Sequence, residues 1–155
     1  MTSRTDESAD RVARGPSARQ IAAVRRAGLA AFVLLVVQYG IGIGINLYVT
    51  VPAADHGHGL GQALSNGPAA ITVHIVVGLL VILAALGLVV QAIIARKPLL
   101  ITISVVGLAA LLGAAVQGAS FVNSDHPAAS MAMGLLTGVA LLCYGVTLYV
   151  LPSPR

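Results

Sequence analysis

His74 stands inside a long apolar run, TVHIVVGLL, where an ionisable side chain is costly unless it has a task. Imidazole can ligate haem iron, copper or zinc, or give and take a hydrogen bond. Two carboxamides, Gln38 and Asn46, lie eight residues apart in QYGIGIGIN, so with Gly42 they share one face of a helix. Gln117 supplies a comparable amide further along, and Gly78, one turn from His74 on the same face, leaves room for something flat or for a neighbouring helix. Together with Ser120, Asn123 and Ser130 these residues could line a small polar pocket, with Gln38 or Asn46 as the hydrogen-bond partner of His74. The competing reading is that the amides only tie helices together, at about 0.6 to 2 kcal/mol per bond.

The remaining imidazoles fall in two short connecting stretches. His56 and His58 occupy PAADHGHGLGQALSNGP, and His126 lies in SDHPAAS. The HGHG pair is a candidate metal site for copper or zinc. A haem placed on His74 would need a second axial ligand, for which His126 is one candidate and Met131, closer to the matching depth, is the substitute. Structural explanations compete here too. A Gly-rich HGHG stretch reads as a solvated turn, and Ser124 or Asp125 followed by Pro127 reads as a helix start. The one cysteine, Cys143, excludes an intramolecular disulfide and a cysteine metal cage.

The elements that must position these groups are read from composition. Hydrophobic residues make up 57% of the 155 positions and charged residues 9%, with a mean hydropathy of +0.93, which lies outside the range of soluble domains. Four apolar stretches, Ala27 to Val51, Ala69 to Ala95, Pro98 to Val122 and Pro127 to Leu151, each reach at least 25 residues. At about 1.5 Å per residue each exceeds the roughly 30 Å hydrocarbon core. Runs of that length without period-2 alternation exclude the short strands of a membrane barrel, so the expected fold is all-α, a four-transmembrane-helix bundle over residues 27–151. Residues 1–26 read as a polar, disordered cytoplasmic tail whose last part, from Ser17 to Arg26, can continue the first helix outward. A cleaved signal peptide is disfavoured because the first apolar run is too long.

Orientation follows from the cations. Six arginines precede the first span, Arg96 and Lys97 separate the second from the third, and Arg155 ends the chain, so all nine Lys and Arg residues lie on one side. The positive-inside rule makes that side cytoplasmic, with both termini inside, in a multi-pass membrane protein. The net charge of +4 is therefore a topology signal; no Trp and only two Phe accompany the basic residues, which excludes a nucleic-acid surface. Membrane lipids are the expected partners, with a homo-oligomer or membrane-complex partner as a further expectation. Small residues at helical spacing support such contacts: Gly40, Gly42 and Gly44, then Gly78 and Ala85, Gly107 and Ala110, and Ser130, Gly134 and Gly138. A weak internal repeat pairs QYGIGIGIN with QGASFVN and Gly78-Leu79-Leu80 with Gly134-Leu135-Leu136, as two parallel helical hairpins.

Two resemblances add to this reading. The strings QYGIGIGINLYVTVP, HIVVGLL, QGASFVN and SMAMGLL resemble an uncharacterised family of small four-helix bacterial integral membrane proteins, over nearly all of the chain beyond the tail. That resemblance implies the four-span architecture and favours His74 with Gln38, Asn46 and Gln117 over His126. The layout also resembles half of a haem A synthase or a small membrane cytochrome b, whose ligands come from the second and fourth helices. What it implies is b-type haem on His74 and His126; the chain departs from it in having one clear intramembrane histidine and no membrane carboxylate. No paired carboxylates, nucleophile triad or phosphate-cradling loop is present, which favours a non-catalytic subunit, assembly factor or scaffold. Spans free of Asp, Glu, Lys and Arg argue against an ion-coupled transporter.

Overall fold

The computed structural model describes residues 17–49, 61, 68–124 and 127–151. Its helices are α1 (Ala18–Tyr48), α2 (Ala69–Ile94), α3 (Pro98–Ser124) and α4 (Pro127–Val150), with no strand among the described residues. They form an antiparallel ring in which α1 packs against α2 and α4, and α3 against α2 and α4; the α1–α2 and α3–α4 hairpins make the most extensive contacts.

Local chemistry sets the boundaries. Ser17 and Gln20 close a capping box, Gln20 N donating to Ser17 Oγ at 3.3 Å and Ser17 N to Gln20 Oε1 at 2.7 Å. Helix α1 therefore starts well before the apolar run and carries Arg19, Arg25 and Arg26 as a helical extension of the first span. Its 31 residues measure about 47 Å, enough to hold those arginines beyond the hydrocarbon. Between α2 and α3 the chain reverses within three residues. Arg96 takes a left-handed conformation at φ 51°, a cost of about 1 to 2 kcal/mol for a residue with a Cβ, and Pro98 opens α3 as Ile101 N bonds Lys97 O at 3.0 Å.

Packing is inverted relative to a water-soluble bundle. The fully buried positions are largely small or hydroxylated, including Ala31, Ala85, Ala92, Ala140, Ser104 and Thr147, whereas Leu142 is 71% exposed and Leu135 63%. Water would penalise that arrangement, at about 25 cal/mol per Å² of exposed apolar area, and lipid does not. The buried serine and threonine hydroxyls answer to their own helices: Ser104 Oγ donates to Leu100 O at 2.7 Å, Thr137 Oγ1 to Met133 O at 2.8 Å and Thr147 Oγ1 to Cys143 O at 2.9 Å. All four helices are long and apolar enough to cross a membrane. The chain is a multi-pass integral membrane protein built as an all-α four-helix bundle.

Candidate functional site

The seam between α1 and α2 holds the polar centre of the bundle. Gln38 Nε2 lies 2.9 Å from the main-chain oxygen of His74 and 3.2 Å from His74 Nε2. A carbonyl oxygen only accepts, so the amide must turn its nitrogen, not its oxygen, toward His74. The second hydrogen of that NH2 then meets the ring, and Nε2 accepts it. This arrangement corresponds to the imidazole tautomer that carries its proton on Nδ1.

Two glycines make this geometry attainable. A Cβ on Gly42 would stand 3.1 Å from His74 Cε1, and one on Gly78 would stand 2.9 Å from Gln38 Nε2. Gln38 and Gly42 are one turn apart on α1, as are His74 and Gly78 on α2. Each helix thus presents a polar side chain to the glycine of the other in a reciprocal cross. The space expected beside Gly78 is taken by the Gln38 amide. Gln38 Oε1 and His74 Nδ1 are buried and have no hydrogen-bond partner among the described residues. An unmatched buried donor or acceptor costs about 1 to 3 kcal/mol.

For metal ligation this geometry is restrictive. In that tautomer the lone pair available for a metal is on His74 Nε2, and it faces the Gln38 amide. Coordination through Nε2 requires the amide to swing away, and coordination through Nδ1 requires a different tautomer.

Asn46, the other nominated partner of His74, goes elsewhere. Ser130 Oγ of α4 donates to its Oδ1 at 3.0 Å, and Asn46 itself is exposed. Gln117 is half-buried on α3 and takes part in neither pair. Ser120 Oγ donates back to Val116 O at 3.1 Å. Met131 is 69% exposed in an outer groove between α1 and α4, alongside Phe32, Tyr39, Gly134 and Gly138, away from the α1–α2 seam. His56, His58 and His126 lie outside the described residues, as does the side chain of Asn123. Among the described residues no cluster of three or more His, Cys, Asp or Glu side chains could hold a metal ion.

Hydrogen bonds across the bundle converge on α1. Besides Gln38 and Asn46, Gln20 Nε2 donates to Ile94 O of α2 at 3.5 Å and Arg25 Nη2 to Leu151 O after α4 at 3.3 Å. The α3–α4 hairpin is joined differently, by apolar knobs set on glycines. Positions for a Cβ on Gly107, Gly113 and Gly118 fall 2.6 Å from Tyr144 Cε1, 3.1 Å from Leu136 Cδ1 and 3.1 Å from Met133 Sδ. Tyr144 is fully buried and its hydroxyl has no partner among the described residues. Sequence reading passes over this residue; the available signal was a tyrosine six residues inside the end of a span, away from the interfacial position that tyrosine favours.

Small residues divide into two sets. Gly28, Gly42, Gly78 and Gly107 face neighbouring helices of the same chain, while Gly40, Gly44, Gly134 and Gly138 have nothing within 4 Å of a Cβ position. The repeat pairing of Gly78 with Gly134 therefore does not extend to packing. Compared with protein-family models, curated proteins and solved structures, the chain has no significant match in any of the three.

Proposed function

We propose that this protein is a non-catalytic integral membrane component, a subunit, assembly factor or scaffold of a bacterial cytoplasmic membrane, with both termini and the Arg96–Lys97 turn in the cytoplasm. One observation carries the reading. Among the described residues, the polar side chains of the nominated site that cross between helices join α1 to its neighbours, Gln38 with His74 and Asn46 with Ser130. The glycines left open, Gly40 and Gly44 on α1 and Gly134 and Gly138 on α4, lie where a partner helix could approach closely in lipid.

The test compares two classes of variant in detergent-purified protein. His74→Ala and Gln38→Ala should lower thermal stability with no change in visible absorption, whereas Gly138→Ile should keep stability and lose association in native gels or crosslinking. A Soret band that disappears in His74→Ala would overturn the scaffold reading. That outcome belongs to a second reading, a b-type haem or metal centre on His74. It draws on the unmatched Nδ1 of His74 and Oε1 of Gln38, which mark the seam as a place where polar groups remain unpaired.

A further inference from the structure

Tyr39 stands twelve residues from each limit of the apolar stretch Ala27 to Val51, so its Cα lies about 18 Å along the helix from either end. That is the middle of a hydrocarbon layer roughly 30 Å thick, and a tyrosine side chain is too short to lift its hydroxyl to the headgroups. Tyrosine favours the interface instead. The side chain is 41% exposed on the outer face of α1 and takes part in no hydrogen bond among the described residues. It lines the groove between α1 and α4 with Phe32, Gly134 and Gly138. Lipid tails carry no acceptor, so a hydroxyl held at this depth requires one from another molecule.

The same groove permits a close helix contact. Gly134 and Gly138 are one turn apart on α4, and a Cβ at either position would meet nothing within 4 Å. Gly138 lies eleven residues from Pro127 and thirteen from Leu151, so it shares the half-depth of Tyr39. A helical carbonyl keeps a second lone pair after its own backbone bond, and small residues let a neighbouring helix come near enough to use it. Two copies related by a two-fold axis along the membrane normal hold every residue at its own depth. Tyr39 of each copy then meets the glycine turn of the other, with donor and acceptor at one level.

We propose that the α1–α4 groove is a two-fold dimer face, in which the Tyr39 hydroxyl of each copy donates to the main chain of the Gly134–Gly138 turn of the other. This rests on the scaffold reading and deepens it, naming the partner as a second copy of this chain and Tyr39 as the donor that fixes the register.

The full chain, labelled with donor or acceptor dye at its C-terminus and reconstituted in phosphatidylcholine vesicles at falling protein-to-lipid ratio, yields a dimer dissociation constant from energy transfer. The expected result is a two-copy complex whose dissociation constant rises about eightfold or more in Tyr39→Phe, because two interhelical bonds are lost per dimer. Gly134→Ile and Gly138→Ile should each abolish transfer, while Gly87→Ile, at an equally open glycine of α2, should leave it unchanged. Thermal unfolding reports that the variants are folded. A monomer at every ratio overturns the proposal, as does a dimer unchanged by Tyr39→Phe, unchanged by the folded glycine variants of α4, or dissolved by Gly87→Ile. A monomer that binds a lipophilic quinone through Tyr39, lost in Tyr39→Phe, would give the hydroxyl to a ligand carbonyl and overturn it equally. The scaffold reading fails separately, by a Soret band lost in His74→Ala, and a colourless monomer leaves that reading standing.

Discussion

Replacing Gly78 by alanine sets a methyl group 2.9 Å from Gln38 Nε2. The clash itself is cheap, because the atom in the way is the end of a flexible side chain that can swing aside. Swinging aside breaks both bonds of the amide, at 2.9 Å to His74 O and 3.2 Å to His74 Nε2. At about 0.6 to 2 kcal/mol per interhelical bond in a membrane, the loss is roughly 1 to 4 kcal/mol. Alanine returns up to about 1 kcal/mol through its better helix propensity, leaving a net destabilisation of roughly 0 to 4 kcal/mol. A range that touches zero makes a single variant uninformative, so the decisive quantity is the coupling. In a Gln38→Ala background the bonds and the obstacle are both absent, and Gly78→Ala should then be neutral or stabilising by up to about 1 kcal/mol. Equilibrium unfolding in detergent of the two single variants and the double variant gives the coupling energy, expected to equal the bond loss of about 1 to 4 kcal/mol. Gly134→Ala, where a Cβ meets nothing within 4 Å, is the matched control and should not be destabilising. Additivity of Gly78→Ala and Gln38→Ala within about 0.5 kcal/mol would refute the reciprocal cross at the α1–α2 seam.

Other expectations follow from the same contacts. Gly107→Ala should cost about 1 to 3 kcal/mol in unfolding free energy, because the atoms it meets belong to the rigid ring of buried Tyr144 and to Cys143 Cβ. Tyr144→Phe should raise the thermal midpoint or leave it unchanged, since the hydroxyl it removes is buried and unmatched, and a fall of several degrees would show that this hydroxyl has a partner. Reporter fusions after Gly61 and after Lys97 should report outside and inside respectively, and the reverse pattern would invert the proposed topology. Elemental analysis should find near-stoichiometric copper or zinc, abolished by the pair His56→Ala and His58→Ala, if the HGHG stretch is a metal site; metal at background removes that site.

Several features were legible because they depend on local sequence alone. Span length is a count of consecutive apolar residues against bilayer thickness, so α2, α3 and α4 begin at Ala69, Pro98 and Pro127, where the apolar runs begin. Placement of the described cations, Arg19, Arg25, Arg26, Arg96 and Lys97, at one end is likewise a property of chain order, needing only alternation of direction between spans. That a buried histidine would seek an amide was also readable, from the cost of leaving either group unpaired in lipid.

Tertiary structure decided what depends on how each helix is rotated about its own axis. A soluble helix announces its inward face by a stripe of apolar residues, but these four are apolar all round, and one rotation looks much like another. Hence Gln38 and Asn46, equal candidates by spacing on one face of α1, part company: Gln38 meets α2 and Asn46 meets α4, because α1 sits between those two neighbours in the ring. For the same reason Gly42, Gly78 and Gly107 became seats for neighbouring side chains while Gly134 and Gly138 face outward, a division that spacing alone leaves open. The half-open apolar recess lined by Val24, Ala95, Leu100 and Leu151 belongs to this class as well: its walls come from α1, α3, the α2–α3 turn and the end of α4, and only their convergence creates it.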